Sequence, residues 1–429
     1  MSNLQINLHH VTRVEGHGNI TIDVKGNRLE SCRFDVVETP RFFEAMLRGR
    51  PYRDAAPITS RICGICAVGH ATTSLRATEN ALGIVPTAQT VLLRKLNFLG
   101  EILDSHVLHV MLLVAPDLLG LGSVIPLART APAVVERTLR MKKLAGDLCR
   151  AICGRHTHPI SMAVGGFTHF PSREELVELR TRFDAVRADV EETVELIGQL
   201  TFPEFERETE YVALYKPGEY TFIDGEIRSS DGGTWPASEY AQITQEHVVP
   251  HSSAKHTRHS RESYMVGALA RFNLNHELLC PEAQAAAAHL GLAAPCVNPY
   301  KNTVAQLVEI VHAVYESIGL IDELLARGIF NEALVAPARL SGVGVGACEV
   351  PRGVLFHQYA IEDGLITRAD CVIPTGQNLA NIEADMRALV PQVLGLPRDE
   401  IVLSLEMLVR AYDPCISCST HLVDVKFLE

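Results

Sequence analysis

Hydrophobic and polar positions alternate every second residue near the start of the chain. Within residues 5–39, ITIDV and CRFDVVE read as strands on either side of the turn-like Lys25-Gly26-Asn27. From Arg41 the period lengthens, and RFFEAMLRG predicts a helix that Gly49 stops. Beyond Pro51 and Pro57, the segment opening RICGICAVGH reads as helical after its cysteines and closes at Gly83. Apolar residues then recur at three- and four-residue spacing over roughly 87–115, 130–153 and 173–199, and the charge-laced third stretch predicts one solvated face. Residues 203–262, richer in Gly, Ser, Thr and His, lose that period and predict strands and excursions. Helices return at about 282–291 and 301–327, a hairpin falls at Asp363-Gly364, and two short helices lead to DPCISCSTHLVDVKFLE.

Dominant helices with β-segments grouped in sequence predict an α+β, mostly helical fold, a central helical bundle with peripheral β-segments. No repeat, low-complexity tract or linker divides residues 1–429, which are expected to form one unit. It comprises an N-terminal β region (about 1–40), a helical core (about 41–200), a mixed excursion (about 203–262), a helical and β part (about 263–421) and a tail (422–429).

Hydrophobic residues at 47% and charged residues at 21% exclude a disordered or fibrous chain. A net charge of −12 argues against a nucleic-acid binder, which needs a basic face, and a single Trp leaves little for stacking on bases. Eleven cysteines are too few for a disulfide scaffold of this size and predict reduced thiols in a cytoplasmic protein, some of them metal ligands. Met1–His10 carries neither a basic start nor an apolar stretch, so no secretory signal is expected. The apolar region from His106 to Ala128 is interrupted by Pro116, Asp117 and Pro126, so no membrane span is expected.

The chemistry concentrates in two CxxC pairs, Cys63 and Cys66 in RICGIC and Cys415 and Cys418 in DPCISC. Two thiols three positions apart can face one ion, and a helix start lowers their pKa. Four thiolates make a soft donor set for zinc, an iron–sulfur cluster, or nickel and iron. Structural zinc knits a local loop with roughly 12–20 residues between its pairs. Here the pairs stand at opposite ends of the chain, which predicts a site at the centre of the fold built from both ends.

The flanking residues resemble those of a known family. RICGICAVGH (61–70) and DPCISCSTH (413–421) look like the two signature motifs of the nickel–iron hydrogenase large subunit. RVEGH at 13–17, RFFE at 41–44, SHVLHVMLLVAPD at 105–117, HP at 158–159, GALAR at 267–271, EVPRG at 349–353 and PTGQN at 374–378 resemble family segments in the family's order. The compact length, RFFEAMLRGRP and SRICGICAVGH resemble the cytoplasmic multimeric branch most.

The resemblance implies that all four motif cysteines bind nickel. Cys66 and Cys418 would bridge to an iron carrying two cyanides and one carbon monoxide, while Cys63 and Cys415 would be terminal. Dihydrogen would be cleaved heterolytically, hydride going to the metals and the proton to sulfur, with Cys415 the candidate. Glu15 matches the proton-relay carboxylate. Arg352, with Asp117 and Asp413, matches a charged canopy over the open metal position. Glu44, His421 and a backbone carbonyl, with Leu379 the candidate, match the ligands of a buried magnesium ion. An iron–sulfur small subunit would take the electrons, together with further diaphorase-like or ferredoxin-like subunits. A hydrogen sensor with little turnover, and a scaffold like the related subunit of respiratory complex I, are the alternatives. The second lineage lacks the nickel cysteines.

The remaining cysteines (Cys32, Cys149, Cys153, Cys280, Cys296, Cys348 and Cys371) match no ligand motif and read as small buried hydrophobes. His247, His251, His256 and His259 are irregularly spaced and read as unconnected with metal. Gly342, Gly344 and Gly346 do not make GxGxxG, so nicotinamide binding by this chain is not expected. Eight residues follow His421, where the family is cleaved on maturation.

Overall fold

The computed structural model describes residues 4–26 and 28–420. Asn27, in the expected turn, and residues 421–429, with the expected magnesium ligand His421, lie outside them. Strands Leu4–Leu8, Gly18–Lys25 and Arg28–Val36 form an antiparallel meander in that order. Its alternation buries Ile20, Ile22 and Val24 on the middle strand and Phe34 and Val36 on the last, as the two-residue period requires.

Four long helices, Ala88–Val107, Pro132–Cys153, Arg173–Gly198 and Asn302–Arg327, pack against one another. Arg173–Gly198 opens with a capping box, in which Ser172 Oγ accepts the Glu175 N–H and Glu175 accepts the Ser172 N–H. Leu176, Leu179, Phe183, Val186, Val190, Val194 and Ile197 form its buried stripe. Helix Ala88–Val107 continues as a widened π turn over Leu108–Val114 into Ala115–Leu118. Two stretches, Ala88–Leu118 and Pro299–Arg327, are long and apolar enough to cross a membrane, but 78% of the most apolar window in each is buried inside the protein. They are core helices, and the second is the helix expected at about 301–327.

A second sheet joins Gly342–Val350, Gly353–Glu362 and Leu365–Val372. Asp363 (φ 47°) and Gly364 (φ 80°) make its second turn, which confirms the hairpin. Strand Gly342–Val350 was not expected, because three glycines dilute its β pattern. They face helix Ala67–Leu82: a Cβ on Gly344 would lie 2.2 Å from the Ala81 nitrogen, and one on Gly346 would lie 2.1 Å from the Thr73 carbonyl oxygen. The glycines therefore serve close strand–helix packing. The two helices before the last motif are not short: they run Pro374–Val393 and Arg398–Ala411. In the excursion, strand Glu210–Tyr215 pairs antiparallel with Glu226–Ser229 and parallel with Tyr264–Met265. One large apolar core runs from Ile6 to Cys418 and contains all four motif cysteines.

Candidate metal centre

Cys66 caps helix Ala67–Leu82, whose start is fixed by a buried carboxylate from the neighbouring long helix. Glu101 accepts the Val68 N–H at 2.7 Å and the Gly69 N–H at 3.0 Å. Burial pushes the Glu101 pKa well up, against those two donors. Sequence reading passed over Glu101, although a lone acid on an otherwise apolar helix face was the available signal. Gly69 admits no side chain, since a Cβ there would lie 2.4 Å from Val350 and 2.7 Å from Glu101.

The C-terminal pair is delivered by the first and last segments meeting. Glu15 and Cys415 form an isolated parallel bridge, with the Ile416 N–H on the Glu15 carbonyl at 2.9 Å. Gly16 makes this approach possible: its φ is 88°, and a Cβ would fall 2.7 Å from Ile416 Cβ and 2.9 Å from the Ser417 nitrogen. Arg41 clamps both cysteine loops, donating to the Ile62 carbonyl at 2.7 Å and to the Ser417 carbonyl. The Cys415 N–H rests on Thr375 Oγ1 at 2.9 Å.

Cys63, Cys66, Cys415 and Cys418 place their sulfurs within 4.8 Å of one another, and all four residues are buried. Across the motifs, Cys63 meets Cys415 at 3.5 Å and Cys66 meets Cys418 at 3.9 Å. Cys415 and Cys418 lie side by side in their CxxC loop and complete the set of four sulfurs. The Cys63 thiol is drawn down to about 7, first by its hydrogen bond with the Cys66 thiol and then by Arg352, against burial. Cys66 moves the other way, so the pair holds one proton tightly and releases the other near neutrality.

Arg352 lies over this cluster, buried, with Nε on the Asp413 carbonyl (2.7 Å) and NH2 on Asp413 Oδ1 (2.8 Å). Asp413 adopts a left-handed backbone (φ 50°), and its other oxygen accepts from Gln306 at 3.1 Å. Gln306 in turn meets His109 of the π turn at 2.5 Å. The third nitrogen of Arg352, NH1, is buried without a partner. An orphaned guanidinium N–H beside four soft thiols fits a metal centre carrying hydrogen-bond-accepting ligands.

Asp117 departs from expectation. Its carboxylate is held by Arg410 Nε (2.7 Å) and by Arg13, while the hydrogen bonds of Arg352 go to Asp413. Arg410 is one turn from Asp413 and competes successfully for Asp117, making a separate ion pair beside the canopy.

Glu15 accepts from Ser417 at both oxygens, from Oγ at 2.5 Å and from the N–H at 3.1 Å. Ser417 Oγ also lies 3.3 Å from Glu38 Oε1, which is 3.2 Å from His17 Nδ1. His17 is 63% exposed, so a chain of exchangeable groups leads from the cysteine loop to water. Ser417 and Glu38 were missed in the sequence, although Ser417 stands between two ligand cysteines.

Glu44 accepts the Cys371 N–H at 2.8 Å. Burial, with Asp370 nearby, pushes its pKa up to about 7. Glu44 thus lies among acids, with Asp370 and Glu246 nearby, and Lys255, paired with Glu246 at 2.7 Å, offsets part of that charge. Leu379 lies within helix Pro374–Val393, where its carbonyl is spent on the helix, so it is a poor metal ligand. Cys280 and Cys296 are only partly buried, while the other five non-motif cysteines are buried as expected.

Four buried cysteine sulfurs converging beside an arginine, on an α+β frame, make a soft donor set of the kind a metalloenzyme uses. The nickel-dependent hydrogenase family matches residues 41–139 and 244–421, and a HoxL-like family matches residues 5–39. The Pyrococcus furiosus sulfhydrogenase 1 subunit alpha is 33% identical over 98% of both chains. The Cupriavidus necator NAD-reducing hydrogenase HoxS subunit beta is 28% identical over 96% of this chain and 93% of that one. Among solved structures, an NAD+-reducing [NiFe]-hydrogenase in its H2-reduced state superposes with a TM-score of 0.88 at 28% identity, covering 97% of this chain and 99% of that one. The chain therefore belongs to the nickel-dependent hydrogenase family. It is the catalytic subunit of a nickel–iron hydrogenase, an oxidoreductase acting on dihydrogen.

Proposed function

We propose that Cys63, Cys66, Cys415 and Cys418 hold the nickel, with Cys66 and Cys418 bridging to iron and Cys63 and Cys415 terminal. The observation that carries this reading is the convergence of four buried sulfurs beneath the free N–H of Arg352. The close cross-motif pairs, Cys63 with Cys415 and Cys66 with Cys418, support that division of roles. Bound there, a nickel–iron centre, with two cyanides and one carbon monoxide expected on its iron, would supply the splitting of dihydrogen. Arg352 would donate to a ligand on the iron, and Asp413 would keep the guanidinium in place, while Asp117 acts one step away by holding Arg410.

The chain's own residues handle the proton. Cys415 is the thiolate placed to accept it, and Glu15, bridged to Cys415 through the main chain, is the next base. Ser417 passes it between Glu15 and Glu38, since a hydroxyl both accepts and donates, and His17 delivers it to solvent. Glu44 and His421 would bind magnesium with a main-chain carbonyl, and the acids near Glu44 favour a cation there.

Residues 1–429 act as one catalytic unit in the cytoplasm, joined to an iron–sulfur small subunit and to diaphorase-like or ferredoxin-like subunits. The likeness to subunits of multi-subunit hydrogenases, including an NAD-reducing one, supports this assembly. Elemental analysis with infrared spectroscopy of the purified protein tests the centre. Nickel and iron in near-equal amounts, with cyanide and carbonyl stretches, is the expected result, and zinc alone would overturn the reading.

A further inference from the structure

Besides the four cysteines, one other group of metal-ligand side chains converges among the described residues. His251, His256 and Glu383 each offer a ligand atom within 4.8 Å of the others. Glu383 stands on helix Pro374–Val393, and the histidines belong to a segment closed by main-chain pairing of His247 with His256 at 2.9 and 3.0 Å. The sequence placed those histidines at irregular intervals and concealed the carboxylate that completes them. Read alone they pointed away from metal, and the fold brings Glu383 beside two of them.

His251 Nε2 lies 2.6 Å from Glu383 Oε1, which also accepts the Phe34 N–H at 3.1 Å. The other oxygen, Oε2, accepts from Arg387 at 2.9 Å. His256 is only 4% exposed, and its Nε2 is buried with no hydrogen-bond partner. Such an orphaned polar atom costs on the order of 1–3 kcal/mol, which a ligand at that nitrogen would remove. Burial, reinforced by His251, His247 and Arg387, pushes the His256 pKa down to about 3, so its ring stays in the neutral, metal-binding form.

We propose that His251, His256 and Glu383 form a second metal site, taking a zinc-type divalent transition ion and keeping open coordination towards the groove that His251 lines. Two neutral imidazoles and one carboxylate are a donor set for zinc with an exchangeable fourth position, whereas magnesium and calcium prefer oxygen. The groove has a volume of about 580 Å³ and is also bordered by His9, Arg33, Asp35 and Pro250. Ligand atoms about 2.0–2.1 Å from an ion require His251 and Glu383 to part slightly from their direct hydrogen bond. Arg387 uses the other carboxylate oxygen and can remain. The ion would tie the His247–His256 segment to helix Pro374–Val393. Ser253 already ties it to the N-terminal sheet, its N–H on the Val36 carbonyl (3.0 Å) and its Oγ on the Glu38 carbonyl (2.6 Å).

The test uses the purified, nickel-loaded complex, washed with chelator and titrated with zinc chloride, with bound metals counted by mass spectrometry. The parent should retain one zinc per chain more than His256→Gln and Glu383→Gln, with equal nickel in all three. X-ray absorption at the zinc edge should show about two imidazoles in the first shell, falling to one in His256→Gln. Nickel content reports folding, and if Glu383→Gln loses nickel, His256→Gln decides alone, because that nitrogen has no bond to lose. Equal zinc in the parent and His256→Gln, or a first shell without imidazole, overturns the site, since surface histidines would then hold the metal.

Discussion

Glu15 gains its position from two neighbours, Gly16, which lets the chain lie against Ile416, and Ser417, which donates to both of its oxygens. Glu15→Gln keeps the shape and one acceptor but cannot cycle a proton. Turnover should fall by a factor on the order of 10²–10⁴, with nickel and iron content unchanged. Exchange of deuterium gas with solvent protons should fall with it, because both need the same exit, and retention of more than half the parent rate would place the relay elsewhere. Ser417→Ala breaks the next link and should show a smaller loss that Ser417→Thr, which restores a hydroxyl, recovers. Arg352 answers a different question. Two of its donors are spent on Asp413 and one is free, and a lysine cannot reproduce that fork. Arg352→Lys should retain nickel yet lose roughly 10²-fold in turnover, the usual effect of removing one directed donor, and an unchanged rate would show that the free N–H is idle.

The element that carries Cys66 is pressed against a strand whose glycines leave no room. A methyl on Gly344 would collide with the main chain of helix Ala67–Leu82, which cannot rotate away as a side chain can. Gly344→Ala should cost about 3 kcal/mol, lower the melting temperature by several degrees and reduce nickel retention, and wild-type stability would mean that the strand shifts freely. The same three glycines show where sequence reading stops. Period alone located the helices around 88–107, 132–153, 173–198 and 302–327, because each has an apolar stripe, and Asp363-Gly364 announced its hairpin through turn chemistry. Strand Gly342–Val350 carried no β signature, because its purpose is close approach, which depends on a helix some 270 residues earlier in the chain. The cysteines and Glu15 were legible as motifs. Glu101, Glu38 and the partners of Asp117 were not, since each acquires its role from residues distant in sequence. Asp117 shows the limit most clearly: its motif match was right about a charged cluster, and only packing shows that Arg410 and Arg13, rather than Arg352, hold it.

At the scale of the molecule, electrons and protons need different exits. On the proposed reading the proton exit is internal to the chain, running through the hydrogen-bonded Glu15, Ser417, Glu38 and His17. Among the described residues, the only group of three or more cysteines that could hold a metal is the one formed by Cys63, Cys66, Cys415 and Cys418. Electrons are therefore expected to leave through another subunit, and the exposed apolar residues next to Arg41 in sequence are the contact predicted for it. Arg41 reaches inward to the Ile62 and Ser417 carbonyls, while the residues that follow it leave Phe42 50% and Met46 46% exposed. Val37, on the other side of Arg41, is 52% exposed. Exposed large apolar side chains such as these are what a protein partner covers. Phe42→Asp places a charge in that contact without touching a ligand or the proton route. The variant should keep its nickel and its hydrogen–deuterium exchange, lose co-purification with the iron–sulfur subunit, and reduce the physiological acceptor at least tenfold more slowly. This pattern is the reverse of Glu15→Gln, in which exchange fails and assembly survives. Should Phe42→Asp lose exchange together with acceptor reduction, the patch belongs to the catalytic fold itself. Should it lose neither, the electron-carrying partner docks on another face.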